Sequence, residues 1–256
     1  MSIHIAIAEI VVYTVRGSYI RKGENFMNYT IDHSKQNPIA EVTLMRDEEI
    51  LIERGSMVYQ CGNVTLEGVL NARGKTGLGG VLSAIGRSMV SGESMFITKA
   101  RGEVNGAKIA IAPCIPGIIY ELFAKPGQQW RINDGAFLAC GDEVNYKMER
   151  QSVGRAFLGT GGLFIMTTEG EGPVLIHSCG DVLPLELDGT KSIVVDNDRA
   201  LAWSETLEYD IKAASGIFGF TTGEGFVNEF HGRGTVLVQT RNLKSIISQV
   251  AATHSG

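Results

Sequence analysis

The sequence predicts an all-β protein: three repeated β-sandwich units in one compact body, with a short C-terminal helix. Three observations predict it. Segments recur: Gly55-Ser56-Met57-Val58-Tyr59 aligns with Gly135-Ala136-Phe137-Leu138-Ala139, and Ala200-Leu201-Ala202-Trp203 supplies a third copy. Repeats of this kind are the signature of an architecture built from one supersecondary unit used several times. Short β-type stretches lie between glycines, of which the chain has 32. Paired turn residues separate the stretches, as in Lys125-Pro126-Gly127, Asn133-Asp134-Gly135 and Asp188-Gly189. Glycine supplies the positive φ and proline presets the φ that tight corners need, so many short strands at even spacing read as a sandwich or barrel.

The elements follow in order. Residues 1–26 are read as a non-native leader or a variable N-terminal segment. Ile3 to Val15 is apolar and β-branched but carries Glu9 and has no basic start, which is wrong for a signal peptide. Arg21-Lys22-Gly23-Glu24 back-translates to a purine-rich stretch like a bacterial ribosome-binding site just before Met27. Starting at Met27, the first unit covers 27–115, the second 116–181 and the third 182–241. In the first, Ile50-Leu51-Ile52-Glu53-Arg54 falls on Trp130-Arg131-Ile132-Asn133-Asp134 of the second, and Ile193-Val194-Val195-Asp196-Asn197-Asp198 holds that place in the third. Leu66, Tyr146 and Tyr209 correspond. The copies also close alike, with Lys108–Ala112, Gly172–His177 and Gly234–Gln239. Each has a glycine-rich middle, longest in the first copy. Residues 242–256 carry Leu243, Ile246, Ile247 and Val250 at the spacing of one apolar helix face, expected to pack on the body as a closing helix.

Composition narrows the function classes. With 256 residues, 44% hydrophobic, the chain has ample material for a sizeable core. Its net charge is −5 and no basic block stands out, so nucleic acid is not an expected partner. No apolar run approaches the ~20 residues of a membrane span, and no stable insertion is expected. Cys61, Cys114, Cys140 and Cys179 are far apart, with no C-x-x-C pair. They read as reduced thiols of a cytoplasmic protein.

Motifs that resemble chemical sites fail on spacing. Gly68-Val69-Leu70-Asn71-Ala72-Arg73-Gly74-Lys75-Thr76 has one residue too many for a phosphate-binding loop and no βα context, so it reads as a turn. His4, His33, His177, His231 and His254 form no metal-ligand spacing. His177 falls where the third copy has Gln239, which suits a hydrogen-bonded strand-end residue. Asp196-Asn197-Asp198 begins like a calcium loop, but Ala200 and Leu201 stand where an oxygen ligand and glycine are needed, so a β-turn is expected. Ser56 and Ser178 have no triad arrangement or nucleophile elbow. Cys61 and Cys140 occupy adjacent repeat positions and read as small core residues; Trp130 and Trp203 read as core aromatics.

Several of these residues carry a family resemblance. The paired Gly55–Tyr59 and Gly135–Ala139 strands, the Gly92-Glu93-Ser94-Met95-Phe96 and Gly223-Glu224-Gly225-Phe226 corners, Pro116-Gly117-Ile118-Ile119 and Gly232-Arg233-Gly234-Thr235-Val236 resemble the altered-inheritance-of-mitochondria family, as an uncharacterised bacterial member, from about Met27 to about Arg241. The resemblance implies units like the tryptophan-RNA-binding attenuation protein, small sandwiches related to the double-stranded β-helix. It also implies self-association, because such units bury their edges against one another. It implies no established reaction, and the attenuation protein's RNA binding does not carry over, since the three copies hold no matching Lys/Arg cluster.

The function expected is therefore that of a non-enzymatic, self-associating scaffold or binding protein. The alternative is a small-ligand binder using crevices between repeats or subunits, its ligand unspecified. No catalytic residue, metal site or cofactor is expected. A homo-oligomer is, with a trimer as its leading size, and Leu78, Val81, Leu82, Ile85 and Met89 as the candidate contact.

Overall fold

The computed structural model describes residues 26–69, 97–133, 135–150, 164–213, 226–243 and 245–247. The described residues form nineteen strands in four antiparallel sheets. A first strand, β1 (Asn28–Ile31), precedes β2 (Ala40–Leu44), β3 (Glu49–Glu53), β4 (Met57–Cys61), β5 (Val64–Val69), β6 (Ile97–Gly102) and β7 (Ala107–Ile111). Next come β8 (Ile119–Ala124), β9 (Trp130–Asn133), β10 (Phe137–Gly141), β11 (Val144–Arg150), β12 (Phe164–Gly170) and β13 (Gly172–His177). The last are β14 (Val182–Asp188), β15 (Ile193–Asp196), β16 (Ala200–Ser204), β17 (Glu208–Ala213), β18 (Phe226–His231) and β19 (Arg233–Gln239).

One pairing pattern occurs three times. The sheets run β1-β2-β7-β4, β5-β6-β3-β10-β13-β8, β11-β12-β9-β16-β19-β14 and β15-β18-β17. Strands β2–β7 thus divide into the triplets β2-β7-β4 and β3-β6-β5, and β8–β13 and β14–β19 divide in the same way. Each six-stranded sheet joins a triplet from one set to a triplet from the next, at β3·β10 and at β9·β16. The two joins have equivalent registers. Ala139, Cys140 and Gly141 face Ile52, Leu51 and Ile50; Ala202, Trp203 and Ser204 face Ile132, Arg131 and Trp130.

Local chemistry explains the recurrence. Side chains alternate across a strand, so Ala40, Val42 and Leu44 of β2 and Ile50 and Ile52 of β3 all face inward and are buried. A bulge interrupts the pairing of β4, β10 and β16 at Met57/Tyr59, Phe137/Ala139 and Ala200/Ala202. Gly55 and Gly135, which lead into β4 and β10, hold φ of 80° and 74°, a conformation that a Cβ disfavours. Before β16 the corner is made differently: the Asp198 amide donates to Asp196 Oδ1 at 2.8 Å, an Asx turn.

The hydrophobic core has three clusters, and each of the first two borrows from the next set of strands. The first, around β2, β3 and β7, takes in Leu138, Ala139 and Leu175. The second takes in Leu201, Ala202 and Leu237 in the equivalent places. The third, around Trp203 and Phe230, has no donor of those positions among the described residues. Trp130 and Trp203 are buried core aromatics, as expected. Trp203 packs edge-on against Tyr209 and Phe230, with centroids 5.1 and 5.3 Å away.

The chain's end departs from expectation. Residues 243 and 245–247 are helical, and the Asn242 carbonyl accepts the Ile246 amide at 3.2 Å. Leu243, Ile246 and Ile247 are exposed, so this part of the apolar face does not pack on the body. Val250 lies outside the described residues, as do residues 1–25.

Candidate functional site

The most distinctive surface is the pair of sheet ends that the recurring joins leave over. β4 pairs with β7 on one side, and β15 pairs with β18 on one side; neither has a second strand partner among the described residues. β4 corresponds to β10 and β16, and β15 to β3 and β9. The positions of β4 therefore exist in buried and in open form within one chain. Leu138 and Leu201 are 0% and 3% exposed, whereas Val58 is 54% exposed. Ala139 and Ala202 are buried, whereas Tyr59 is exposed. On β15, Val194 is 56% exposed. Met57, Gln60 and Cys61 are exposed too. An edge strand with apolar side chains is a template for pairing with another chain.

The open face of β4 is held in order by polar contacts. The Tyr59 hydroxyl donates to Glu41, and Lys108 Nζ donates to the other oxygen of the same carboxylate, 2.5 Å away. The ammonium first, then the tyrosine hydroxyl, hold the Glu41 carboxyl below its usual range, and Glu41 in turn raises Tyr59 and Lys108. At the turn after β4, Gln60, Cys61, Gly62, Asn63, Val64 and Thr65 line an open depression of about 370 Å³.

Elsewhere the titratable groups are tied to structure. His177 is almost wholly buried, and its Nε2 lies 3.3 Å from Glu53 Oε2, but neither ring nitrogen makes a hydrogen bond. The expected bonded strand-end role holds for its counterpart Gln239, which accepts the Cys179 amide and donates to the Asp198 carbonyl, both at 2.8 Å. It does not hold for His177. Burial pushes the Cys140 thiol far up and the Tyr146 hydroxyl to about 12. Cys140 is wholly buried, as a small core residue is expected to be. Ser56 and Ser178 donate to the backbone oxygens of Glu53 and Gly180. Asp196-Asn197-Asp198 forms the expected turn. His33 and His231 sit beside Glu121 and Glu229 at 3.2 and 3.8 Å. Among the described residues, no group of three metal-ligating side chains converges.

Cys61 corrects the sequence reading: it is exposed, whereas Cys140 is buried. The repeat alone places it in the core, but among the described residues β4 has no counterpart of the strand β3 that covers β10. The contact candidates Leu78, Val81, Leu82, Ile85 and Met89 lie outside the described residues, as does the glycine-rich loop beyond Val69. Sequence reasoning missed the open edges themselves. The usable signal was that a first and a last repeat each lack a neighbour on one side.

The chain is by class an all-β protein of recurring strand triplets, and among the described residues its most distinctive surface lies at two sheet edges. The family described as Mitochondrial biogenesis AIM24 matches residues 29–241, and the chain belongs to that family. It is similar to an uncharacterised protein of Streptococcus pyogenes serotype M6, 48% identical over 223 residues, covering 86% of this chain and 88% of the relative. It is also similar to a crystal structure of a Streptococcus pyogenes protein, with a TM-score of 0.75 and 43% identity over 89% of this chain and 99% of that one.

Proposed function

We propose that this protein is a non-enzymatic, self-associating β protein that serves as a scaffold or binding module. One observation carries the reading: β4 and β15 expose apolar side chains at positions whose counterparts in β10, β16, β3 and β9 lie in continuous sheets. Leaving Val58 about half in water, where its counterparts Leu138 and Leu201 are buried, forfeits part of the roughly 1.5–3 kcal/mol that full burial of a branched apolar side chain yields. Association recovers it. Three copies are the leading size, and the segment carrying Leu78, Val81, Leu82, Ile85 and Met89 is a second candidate contact. No described helix is long and apolar enough to cross a membrane. A cytoplasmic location is part of the same proposal.

A second reading, small-ligand binding, is favoured by the depression at Gln60–Thr65, which adjoins the open β4 edge. Native mass spectrometry of the freshly purified full chain separates the two. Self-association predicts a multiple of the 27.6 kDa chain mass, three-fold as the leading expectation. A monomer at tens of micromolar, carrying a retained small molecule, would favour the ligand reading and overturn the first.

A further inference from the structure

We propose that the β15 edge of one copy pairs antiparallel with the β4 edge of a second copy, in a register the chain already uses twice. The inference rests on the self-association proposed above and names its interface.

The two end sheets are halves of one pattern. Inside the chain, a six-stranded sheet reads β5-β6-β3-β10-β13-β8, and another reads β11-β12-β9-β16-β19-β14. Placing β15 beside β4 produces β17-β18-β15-β4-β7-β2, the same order in equivalent strands, with β1 added at the end. The register follows from the internal joins. Ile52 faces Ala139 and Ile132 faces Ala202, so Val195 faces Tyr59 of the second copy. Leu51 faces Cys140 and Arg131 faces Trp203, so Val194 faces Gln60. Ile50 faces Gly141 and Trp130 faces Ser204, so Ile193 faces Cys61.

The cores make the same demand. The first core is completed by Leu138 and Ala139, and the second by Leu201 and Ala202. The third has no such donor among the described residues, and Val58 and Tyr59 are the equivalent side chains, exposed on the far end of the chain. One copy therefore offers what another lacks. The contact is head-to-tail, with different surfaces on the two partners, so it repeats from copy to copy until a ring closes or a filament grows.

The register supplies its own probe. Directly opposed residues of an antiparallel pair have Cα atoms about 4.5–5.5 Å apart, within the span a disulfide bridges. Ile193→Cys, made in the full chain with Cys114→Ser, places a thiol opposite the native exposed Cys61 of the next copy. Under mild oxidation, non-reducing gels should show covalent dimers and higher species, with a peptide joining Cys61 to position 193. Adding Cys61→Ser should abolish them. Val194→Cys, whose side chain points to the other face, should not link to Cys61. If Ile193→Cys fails to fold, Gln60→Cys with Val194→Cys and Cys61→Ser tests the same register at two exposed positions. Oligomers by light scattering without either cross-link, or with Cys61 joined to Cys61, would overturn this pairing while leaving self-association standing. A monomer mass would remove both.

Discussion

Gly117 shows how little room a single position can have. A Cβ built there would lie 1.8 Å from the Ser178 carbonyl oxygen, because the backbone of 116–118 runs against 178–180. The Gly180 amide donates to the Pro116 carbonyl at 3.1 Å, and the Ser178 amide to that of Ile118 at 3.1 Å. Gly117→Ala must therefore open this bridge, and we expect a loss of about 3 kcal/mol or more by denaturant unfolding; unchanged stability would mean the approach is looser. Asn228 is the opposite case. It is wholly buried on β18, and neither amide atom has a hydrogen-bond partner. Its counterpart on β12 is the apolar Met166, since Val195 faces Asn228 as Ile132 faces Met166. Asn228→Val removes both unsatisfied atoms and should stabilise the chain by about 1–3 kcal/mol. An equal loss would show the amide to be bonded. Glu143 is half-buried with Oε2 unpartnered, and burial holds its carboxyl above the usual range. The folded chain thus binds this proton more tightly than the unfolded chain. The contribution to stability is full below the ordinary carboxylate pKa and is lost as pH rises through the raised one. Glu143→Gln should melt higher than the parent at pH 7, with the gap closing on acidification; a gap that widened instead would contradict the burial argument.

At the scale of strands, the sequence was informative where a position does the same thing in every copy. The alignment of Gly55 with Gly135, and of Val195 with Ile132, matches the observed registers, because turn geometry and inward facing are written in residue type. Exposure is not written there. Val58 and Leu138 are chemically alike, yet one is in water and the other in a core. What differs is whether another strand lies alongside, a property of position in the array. Cys61 misled for this reason. His177 misled for another: its counterpart Gln239 finds two backbone partners at the third copy's closing corner, and the imidazole finds only the Glu53 carboxylate, outside hydrogen-bond geometry. The terminal helix misled because spacing reveals an apolar face but not what covers it.

For the molecule as a whole, the described strands form an array with two unlike ends. A repeat architecture buries its faces between neighbours, and its first and last members each retain an open one. Natural sheets protect such edges with charge, proline or a covering strand. Here β1 covers β2, but β4 and β15 each keep an exposed valine, Val58 and Val194. The most direct test is light scattering of the full chain beside the Val58→Asp and Val194→Asp variants, across a dilution series. The parent should be an oligomer, and each variant should shift to the 27.6 kDa monomer with β-type circular dichroism retained. A monomeric parent at tens of micromolar, or variants that assemble as the parent does, would contradict assembly through these edges.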